Sequence, residues 1–370
     1  MRRSLPLHAK LWSERVLIGC ALFLVLTGVV MVYSASSIMA EKRFYDSFFF
    51  LKRHTVYAIL GICTMITTAK LDYNHIRKIA IPFMFFSFSL LILLLIPGVG
   101  TEAGGATRWL RFGPLSLQPS EVAKLSIIFF FAHSLANKKA MNDFKKGFLP
   151  YLIVMGIFLC LMLMQPDFGT AMTVAGIIFI MLFVAGARPS YITSTFLLTG
   201  IIAYFLVATS EYRMKRILSF VDPWSDPQDT GFQIIQSFLA FGSGGLMGRG
   251  LGEGRQKLFY LPEPHTDFIL PVVGEELGFI GVVFIILVFA ALVLFGIRAA
   301  LKAYDTFGCY LALGITSMIG LQAIINMGVV MGLLPTKGLP LPFVSYGGTS
   351  LLINMIGVGI LISITARGRT

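Results

Sequence analysis

Charge is scarce in this sequence. Asp, Glu, Lys and Arg make up 13% of the 370 residues, whereas a soluble domain carries about 25%. Hydrophobic residues make up 56% of the chain, and the mean hydropathy is +0.82. This imbalance excludes an ordinary soluble domain and favours a membrane protein.

Chemical motifs are also lacking. The four cysteines show no paired spacing, which indicates neither a disulfide framework nor a metal site. The sequence contains no P-loop, dinucleotide fingerprint, nucleophile elbow or zinc signature. A nucleotide is therefore not the expected energy source, and a membrane-borne activated donor would not need one. The net charge of +12 fits basic loops that orient a membrane protein, rather than a nucleic-acid partner.

Apolar runs of about 20 residues, the length that crosses a bilayer, recur along the chain. The first run is longer than the apolar part of a cleavable signal. We predict ten membrane helices, near residues 16–37, 54–70, 79–97, 120–136, 149–166, 170–187, 191–209, 269–297, 308–333 and 349–366. The predicted fold class is all-α, with one polytopic membrane domain over residues 1–370.

Ten helices place both termini on the same side. If the termini are cytoplasmic, the inner segments carry 16 Lys and Arg residues and the short outer loops carry 7. The positive-inside rule therefore favours cytoplasmic termini. Segments 98–119, 210–268 and 334–347 are then extracytoplasmic. Segment 210–268, between helices 7 and 8, is too long for a connector and is expected to be functional.

A glycine-rich run occupies residues 242–254 of this long segment. Its backbone N–H groups, together with Arg249, Arg255 and Lys257, could cradle a phosphate. The alternative is a flexible lid or a tight loop, because the run matches no phosphate-binding motif and follows no predicted strand. The sequence leaves both interpretations open.

Glu263, His265 and Asp267 lie just before the eighth predicted helix. Partial burial at the membrane surface can raise the pKa of a carboxyl group and suit it to act as a general base. The alternative is capping of the helix by Thr266 or Asp267, and composition does not decide between the two. His265 alone is more typical of a hydrogen-bonded loop residue than of a ligand.

Ionisable residues within predicted membrane helices need a partner or a polar interior. Glu121 and Lys124 are spaced i, i+3 and lie on one helix face, which favours a structural salt bridge over chemistry. Glu275 and Glu276 are likewise expected to face a partner. Asp167 is either a turn residue or a polar group that lines a site.

The other two outer segments carry basic residues. Arg108 and Arg111 flank Trp109, a pattern typical of an interfacial tryptophan that would also suit a sugar–phosphate ligand. Lys337 lies in a proline-rich segment before the last helix and offers a phosphate contact.

Five motifs, taken together and in this order, resemble the SEDS family of bacterial envelope proteins. They are residues 118–124 (Gln-Pro-Ser-Glu-Val-Ala-Lys), 165–170 (Gln-Pro-Asp-Phe-Gly-Thr), 265–268 (His-Thr-Asp-Phe), 274–278 (Gly-Glu-Glu-Leu-Gly) and 340–348 (Pro-Leu-Pro-Phe-Val-Ser-Tyr-Gly-Gly). The resemblance covers nearly the whole chain. Residues 334–338 and 250–258 are more similar to the division branch of the family than to its elongation branch.

The resemblance implies a peptidoglycan glycosyltransferase that polymerises lipid II, with ten membrane helices and cytoplasmic termini. The implied partners are a class B penicillin-binding protein (a transpeptidase) and other divisome proteins, and the implied location is the bacterial cytoplasmic membrane at the septum. The catalytic aspartate of the family corresponds to Asp267, its outer-loop tryptophan to Trp109, and its fourth-helix pair to Glu121 and Lys124. We expect the substrate-binding residues to be Arg108, Trp109, Arg111, Glu121, Lys124, Asp167, Arg249, Arg255, Lys257, His265, Lys337 and Ser345.

The expected reaction is a single displacement with inversion, in which Asp267 deprotonates the acceptor hydroxyl and cations stabilise the departing diphosphate. No cofactor is required with certainty, although a bound Mg²⁺ or Mn²⁺ could share with these cations the stabilisation of the departing diphosphate. A flippase that moves lipid II without forming a bond is the main alternative. A scaffold for the transpeptidase without catalytic activity is the third interpretation.

Overall fold

The computed structural model describes residues 7–103, 106–113, 115–137, 141, 143–228, 231–255 and 264–368. Its helices are α1 (Leu7–Phe44), α2 (Phe49–Lys70), α3 (Asn74–Leu93), α4 (Pro119–Asn137), α5 (Leu149–Met164), α6 (Phe168–Val184), α7 (Pro189–Ala208), α8 (Glu211–Val221), α9 (Phe232–Gly244), α10 (Ile269–Leu301), α11 (Thr306–Val330) and α12 (Gly348–Arg367). Its strands are β1 (Thr101–Ala103), β2 (Ala106–Phe112) and β3 (Leu115–Leu117).

Every segment predicted to span the membrane forms a helix, namely α1–α7 and α10–α12. Within the described ranges, eight of these helices are long and apolar enough to cross a bilayer. The other two are α6, which has only 17 residues, and α4, whose hydropathy is lowered by Glu121 and Lys124. The polytopic helical architecture is confirmed, whereas the count of ten spans and the sidedness of the loops stay predictions.

The centre of the bundle is formed by α4, α11 and α12, which bury residues on most of their faces. Close packing of α12 against α2 depends on Gly359, because a Cβ there would collide with Thr68 Oγ1 and the Met65 carbonyl. Small residues at helix contacts serve this purpose in membranes. By contrast, α7 is peripheral and buries only Thr195 among its described side chains.

The segment before α4 adds a feature that the all-α prediction did not contain. The three strands form an antiparallel sheet in the order β1-β2-β3. Thr349, at the start of α12, donates from Oγ1 to the Ser116 carbonyl at 2.9 Å and so holds β3 against the bundle. Strands of three residues are too short to produce a recognisable alternation in the sequence.

Helix α10 is broken at Gly278, where φ is +69°. Such a break removes helical hydrogen bonds, and unpaired backbone groups are costly inside a membrane. The glycine-rich run supplies new partners, since Arg249 N donates to the Glu275 carbonyl at 3.0 Å and Phe279 N donates to the Gly245 carbonyl at 2.9 Å. In the described residues, the run is therefore a tight loop that completes α10.

Replacing Gly278 with Ala tests this role. The backbone conformation is nearly restricted to glycine and strains other residues by about 1–3 kcal/mol, and the new Cβ would also overlap Gly248 N. We expect a clear fall in the thermal unfolding temperature of the purified protein in detergent. Gly19→Ala is the control, because a Cβ at that helical position meets no atom within 4 Å. Equal unfolding temperatures for the two variants would contradict the assignment.

Candidate active site

Asp267 lies two residues before α10 and contacts the proline-rich segment that follows α11. Asn326 of α11 connects the two parts, because its Nδ2 donates to the Asp267 carbonyl at 2.9 Å and to the Leu339 carbonyl at 2.7 Å. The Asp267 carboxylate faces Gly338, where an added Cβ would lie 3.1 Å from Oδ2. Asp267 is half-buried.

Asn326 is not among the site residues predicted from the sequence. A buried amide in an otherwise apolar membrane helix was the available signal, because such polar groups need partners and are often functional.

His265 is enclosed by aromatic rings. Its ring centroid lies 4.3 Å from that of Phe50 and 5.5 Å from that of Tyr346, and its carbonyl accepts a hydrogen bond from Tyr346 N at 2.8 Å. Burial, and to a smaller extent the charge of His54, lower the pKa of His265 to about 4. A neutral imidazole at physiological pH therefore supports the backbone beside Asp267.

The capping alternative for this segment is not what the structure shows. The N-cap residue of α10 is Phe268, and it makes no side-chain capping hydrogen bond. Neither Thr266 nor Asp267 occupies the N-cap position of this helix.

Three cations near the start of α6, Arg213, Arg216 and Lys337, are called the basic cluster below. Lys337 Nζ lies 5.5 Å from the centroid of the Phe168 ring, and Arg213 Cζ lies 5.8 Å from the same centroid. Arg216 Nη1 donates to the Thr336 carbonyl at 3.3 Å, one residue before Lys337. Burial lowers the pKa of Lys337 to about 8.

Lys337 is among the site residues predicted from the sequence, whereas Arg213 and Arg216 are not. Arg213 and Arg216 are spaced i, i+3 in α8, inside the long outer segment. This spacing places both on one helix face and was the signal that could have identified them.

The strand β2 separates the two arginines that flank Trp109. Arg108 Nε donates to the Gln165 carbonyl at 3.3 Å, and its Nη2 donates to the Pro166 carbonyl, so this arginine binds the turn before α6. Arg111 is exposed, and Trp109 is half-buried. Because side chains alternate along a strand, Trp109 and Arg111 share one face of β2 and Arg108 lies on the other.

Glu121 and Lys124 form the predicted salt bridge, with 2.8 Å between Lys124 Nζ and Glu121 Oε1 and 1% exposure of each side chain. Lys124 Nζ also donates to Gln322 Oε1 at 2.7 Å, and Gln322 Nε2 donates to the Pro340 carbonyl at 3.0 Å. The pair is thus connected to the proline-rich segment that contacts Asp267. This arrangement agrees with the structural interpretation of the pair.

Asp167 acts as a capping residue in the turn before α6. Its Oδ1 accepts a hydrogen bond from Thr170 N at 3.2 Å, and its Oδ2 accepts one from Ser120 Oγ at 3.0 Å. It is 3% exposed, so its described contacts are those of a turn residue that fixes α4 against α6.

The contacts described for Arg249 and Arg255 are with a different part of the chain from the basic cluster. Arg249 Nε donates to the Ser243 carbonyl at 3.1 Å, and Arg255 N donates to Glu275 Oε1 at 2.8 Å. The neighbouring Glu276 accepts from Ser34 Oγ and Gly252 N. The described N–H groups of the glycine-rich run therefore bind backbone carbonyls and the Glu276 carboxylate rather than presenting an open phosphate cradle.

Ser345 is 3% exposed, and its Oγ accepts a hydrogen bond from Leu341 N at 2.9 Å, so it stabilises a turn. Lys257 and Glu263 lie outside the described residues. Among the residues that the structure does describe, no group of three or more His, Cys, Asp or Glu side chains converges to hold a metal ion. In this part of the chain, Mg²⁺ or Mn²⁺ therefore finds no ready-made set of protein ligands.

These features define a class, a polytopic helical membrane protein with a carboxylate and a group of cations at one end of its bundle. The chain belongs to the FtsW/RodA/SpoVE family, whose sequence model, described as a cell cycle protein, matches residues 14–370. The resemblance to the SEDS family is thereby confirmed.

Individual relatives agree with this assignment. The chain is 53% identical to the probable peptidoglycan glycosyltransferase FtsW of Geobacter metallireducens, over 96% of this chain and 95% of that protein. It is 47% identical to the stage V sporulation protein E of Bacillus subtilis, over 96% of this chain and 98% of that protein.

Solved structures show the same fold. The rod shape determining protein RodA of Thermus thermophilus has a TM-score of 0.71 and 27% identity, over 96% of this chain and 97% of that one. A structure described as "Structural coordination of polymerization and crosslinking by a peptidoglycan synthase complex" has a TM-score of 0.77 and 29% identity, over 94% of this chain and 96% of that one.

Removing the charge of Lys124 tests the buried pair. Lys124→Met would leave the Glu121 carboxylate buried without its counter-ion, which typically costs about 3–5 kcal/mol. We expect a large fall in the unfolding temperature in detergent, and partial recovery when Glu121→Gln is added. Lys52→Met is the control, since its pair with Asp46 is exposed and worth about 0–1 kcal/mol. A loss for Lys124→Met as small as that of the control would sink the structural assignment.

Acid sensitivity tests the burial of His265. Its folded pKa of about 4 lies below the ordinary value of 6.5, so the unfolded chain binds the proton more readily. The stability contribution is complete above about pH 6.5 and is lost as the pH falls towards 4, by on the order of 3 kcal/mol. His265→Phe should reduce the dependence of the unfolding temperature on pH over this range, whereas His75→Gln, in the exposed first turn of α3, should leave it as in the wild type. An unchanged slope in His265→Phe would contradict this account.

Proposed function

We propose that this chain polymerises lipid II into glycan strands at the outer face of the bacterial cytoplasmic membrane, with Asp267 as the general base. Membership of the FtsW/RodA/SpoVE family and the name of the probable peptidoglycan glycosyltransferase FtsW, which is 53% identical over 96% of the chain, support the class, a peptidoglycan glycosyltransferase. The observation that carries the site is the half-buried Asp267 carboxylate beside Gly338, next to Lys337.

The proposed step is a single displacement. Asp267 takes the proton from the 4-hydroxyl of the acceptor N-acetylglucosamine, and that oxygen forms a bond to the anomeric carbon of the donor N-acetylmuramic acid. The bond between that carbon and the diphosphate oxygen breaks, and its electron pair leaves with undecaprenyl diphosphate. Attack from the opposite face inverts the configuration from α to β.

The protein environment suits this step in two respects. Asn326 holds the backbone of Asp267 and of the facing Leu339 by hydrogen bonds, which fixes the base against the proline-rich segment. Cations preorganised near the leaving group stabilise charge as it develops, and Lys337 precedes Gly338, the residue that the Asp267 carboxylate faces. A positioned base contributes about 10²–10⁴-fold to such a rate.

The same proposal includes a partner and a location. A structural neighbour is described as a peptidoglycan synthase complex that coordinates polymerisation and crosslinking, which supports pairing of this chain with a class B penicillin-binding protein. The FtsW name of its relatives supports work at the division septum together with other divisome proteins.

A lipid II flippase is the alternative. The broken helix α10 favours it, because discontinuous helices line the substrate sites of many transporters. In this chain, however, the glycine-rich run binds the backbone groups on both sides of Gly278. This arrangement favours a structural break whose backbone groups are already hydrogen-bonded. The glycosyltransferase therefore remains better supported than the flippase.

Polymerisation of labelled lipid II by the purified protein, with and without its cognate transpeptidase, tests the proposal. Wild type should produce glycan ladders on a gel, whereas Asp267→Asn and Asp267→Ala should lose them by about 10²–10⁴-fold with unchanged unfolding temperatures. Glu211→Gln, which removes an exposed carboxylate from α8, should keep wild-type ladders. Ladders that survive both Asp267 substitutions would refute the base assignment, and wild-type protein that moves lipid II across liposomes without making ladders would establish the flippase.

A further inference from the structure

The basic cluster gathers cations from two separate parts of the chain. Arg213 and Arg216 come from α8, and Lys337 comes from the proline-rich segment that contacts Asp267. Like charges repel, so bringing Arg213 and Lys337 to the Phe168 ring, with Arg216 bound to the Thr336 carbonyl, has a cost unless an anion is present for part of the functional cycle. The cluster therefore points to an anionic ligand.

The described contacts of Lys337 and Arg213 do not neutralise their charges. In the described part of the chain, no carboxylate lies within 4.0 Å of a charged nitrogen of Lys337 or Arg213. Lys337 Nζ has the thioether of Met172 as its hydrogen-bond acceptor, at 2.7 Å, and sulfur is a weak acceptor. Arg213 Nη1 donates to the Leu206 carbonyl at 2.8 Å, which uses one of the five donors of a guanidinium group.

The three cations of α8 are not equally buried. Arg213 and Arg216 are partly buried towards the α6 end of the bundle, whereas Lys215 is exposed and pairs with Glu211 at 3.5 Å. Positions i and i+3 share a helix face and positions i and i+2 do not. The helix thus directs two of its three cations towards the segment that contains Lys337.

Position relative to the base narrows the choice of anion. Gly338 packs against Asp267 Oδ2, and Lys337 is its neighbour in sequence. The bond that forms and the bond that breaks share one anomeric carbon, so the leaving diphosphate must lie within a few ångströms of the acceptor hydroxyl. Arginine forks and a lysine ammonium are the donors that proteins use for phosphate groups.

We infer that Arg213, Arg216 and Lys337 form the binding site for the diphosphate of the polyprenyl-linked donor and hold it as it becomes the leaving group. This inference rests on the proposed function for the identity of the lipid. Arg249 and Arg255 are not included in the site, because the described contacts of Arg249 Nε with the Ser243 carbonyl and of Arg255 N with Glu275 place these two residues beside α9 and α10.

Direct binding of radiolabelled undecaprenyl diphosphate to the purified full-length protein in detergent tests the inference without requiring turnover. Loss of one charge-assisted contact should weaken binding by about tenfold or more. We expect this loss in Arg213→Gln, Arg216→Gln and Lys337→Met. Arg213→Lys should retain part of the affinity. Lys215→Gln removes a charge from the same helix and is expected to bind like the wild type.

Competition distinguishes the sources of a lipid-linked phosphate. Inorganic pyrophosphate should displace the label, whereas phosphatidylglycerol should not do so at the same concentration. Displacement by phosphatidylglycerol but not by pyrophosphate would overturn the inference in favour of an ordinary lipid-headgroup site. Thermal unfolding without ligand identifies any variant that fails to fold. If Arg213→Gln does not fold, the affinity of Arg213→Lys, which keeps the charge and should bind in part, tests the site instead.

The inference and the proposed function fail separately. Asp267→Asn should bind undecaprenyl diphosphate like the wild type while making no glycan, which supports both. Wild-type protein that binds through the cluster but makes no glycan would keep the diphosphate site and reject the polymerase. Wild-type protein that makes glycan while folded Arg213→Gln and Lys337→Met bind and polymerise normally would reject the diphosphate site alone.

Discussion

The requirement that polar groups be paired inside hydrocarbon governs this structure. Glu121 and Lys124 are both 1% exposed, and each is the ion-pair partner of the other, while Gln322 also binds the ammonium group. The break at Gly278 obeys the same rule, since the glycine-rich run supplies the hydrogen bonds that the helix gives up. Paired polar groups therefore occur at two places inside an otherwise apolar bundle.

This pairing extends to the site. Gln322 and Asn326 are one turn apart in α11, and they bind the consecutive carbonyls of Pro340 and Leu339. Asn326 also binds the carbonyl of Asp267. A buried salt bridge in α4 is thus connected through one face of α11 to the backbone around the proposed base. Preorganisation of this kind avoids reorganisation during the reaction.

The basic residues divide into two groups with different functions. Arg249 and Arg255, in the glycine-rich run and just after it, have described contacts with Ser243 and Glu275. Arg213 and Lys337 lie near the Phe168 ring instead. Because these basic residues lie in different surroundings, their number in the long outer segment is a poor guide to where a diphosphate binds.

The sequence by itself determined the membrane class and the helical segments, because long apolar runs are a local property. The choice of Asp267 as the base came from the family resemblance, since composition left a general base and a helix cap equally open. The sequence also predicted the Glu121–Lys124 pair, which depends only on helical spacing. Tertiary structure alone decided that Asn326 holds Asp267, that Arg213 and Arg216 join Lys337, and that the glycine-rich run completes α10. Each of these contacts joins segments that are distant in the chain, and a single sequence carries no record of which distant segments pack together.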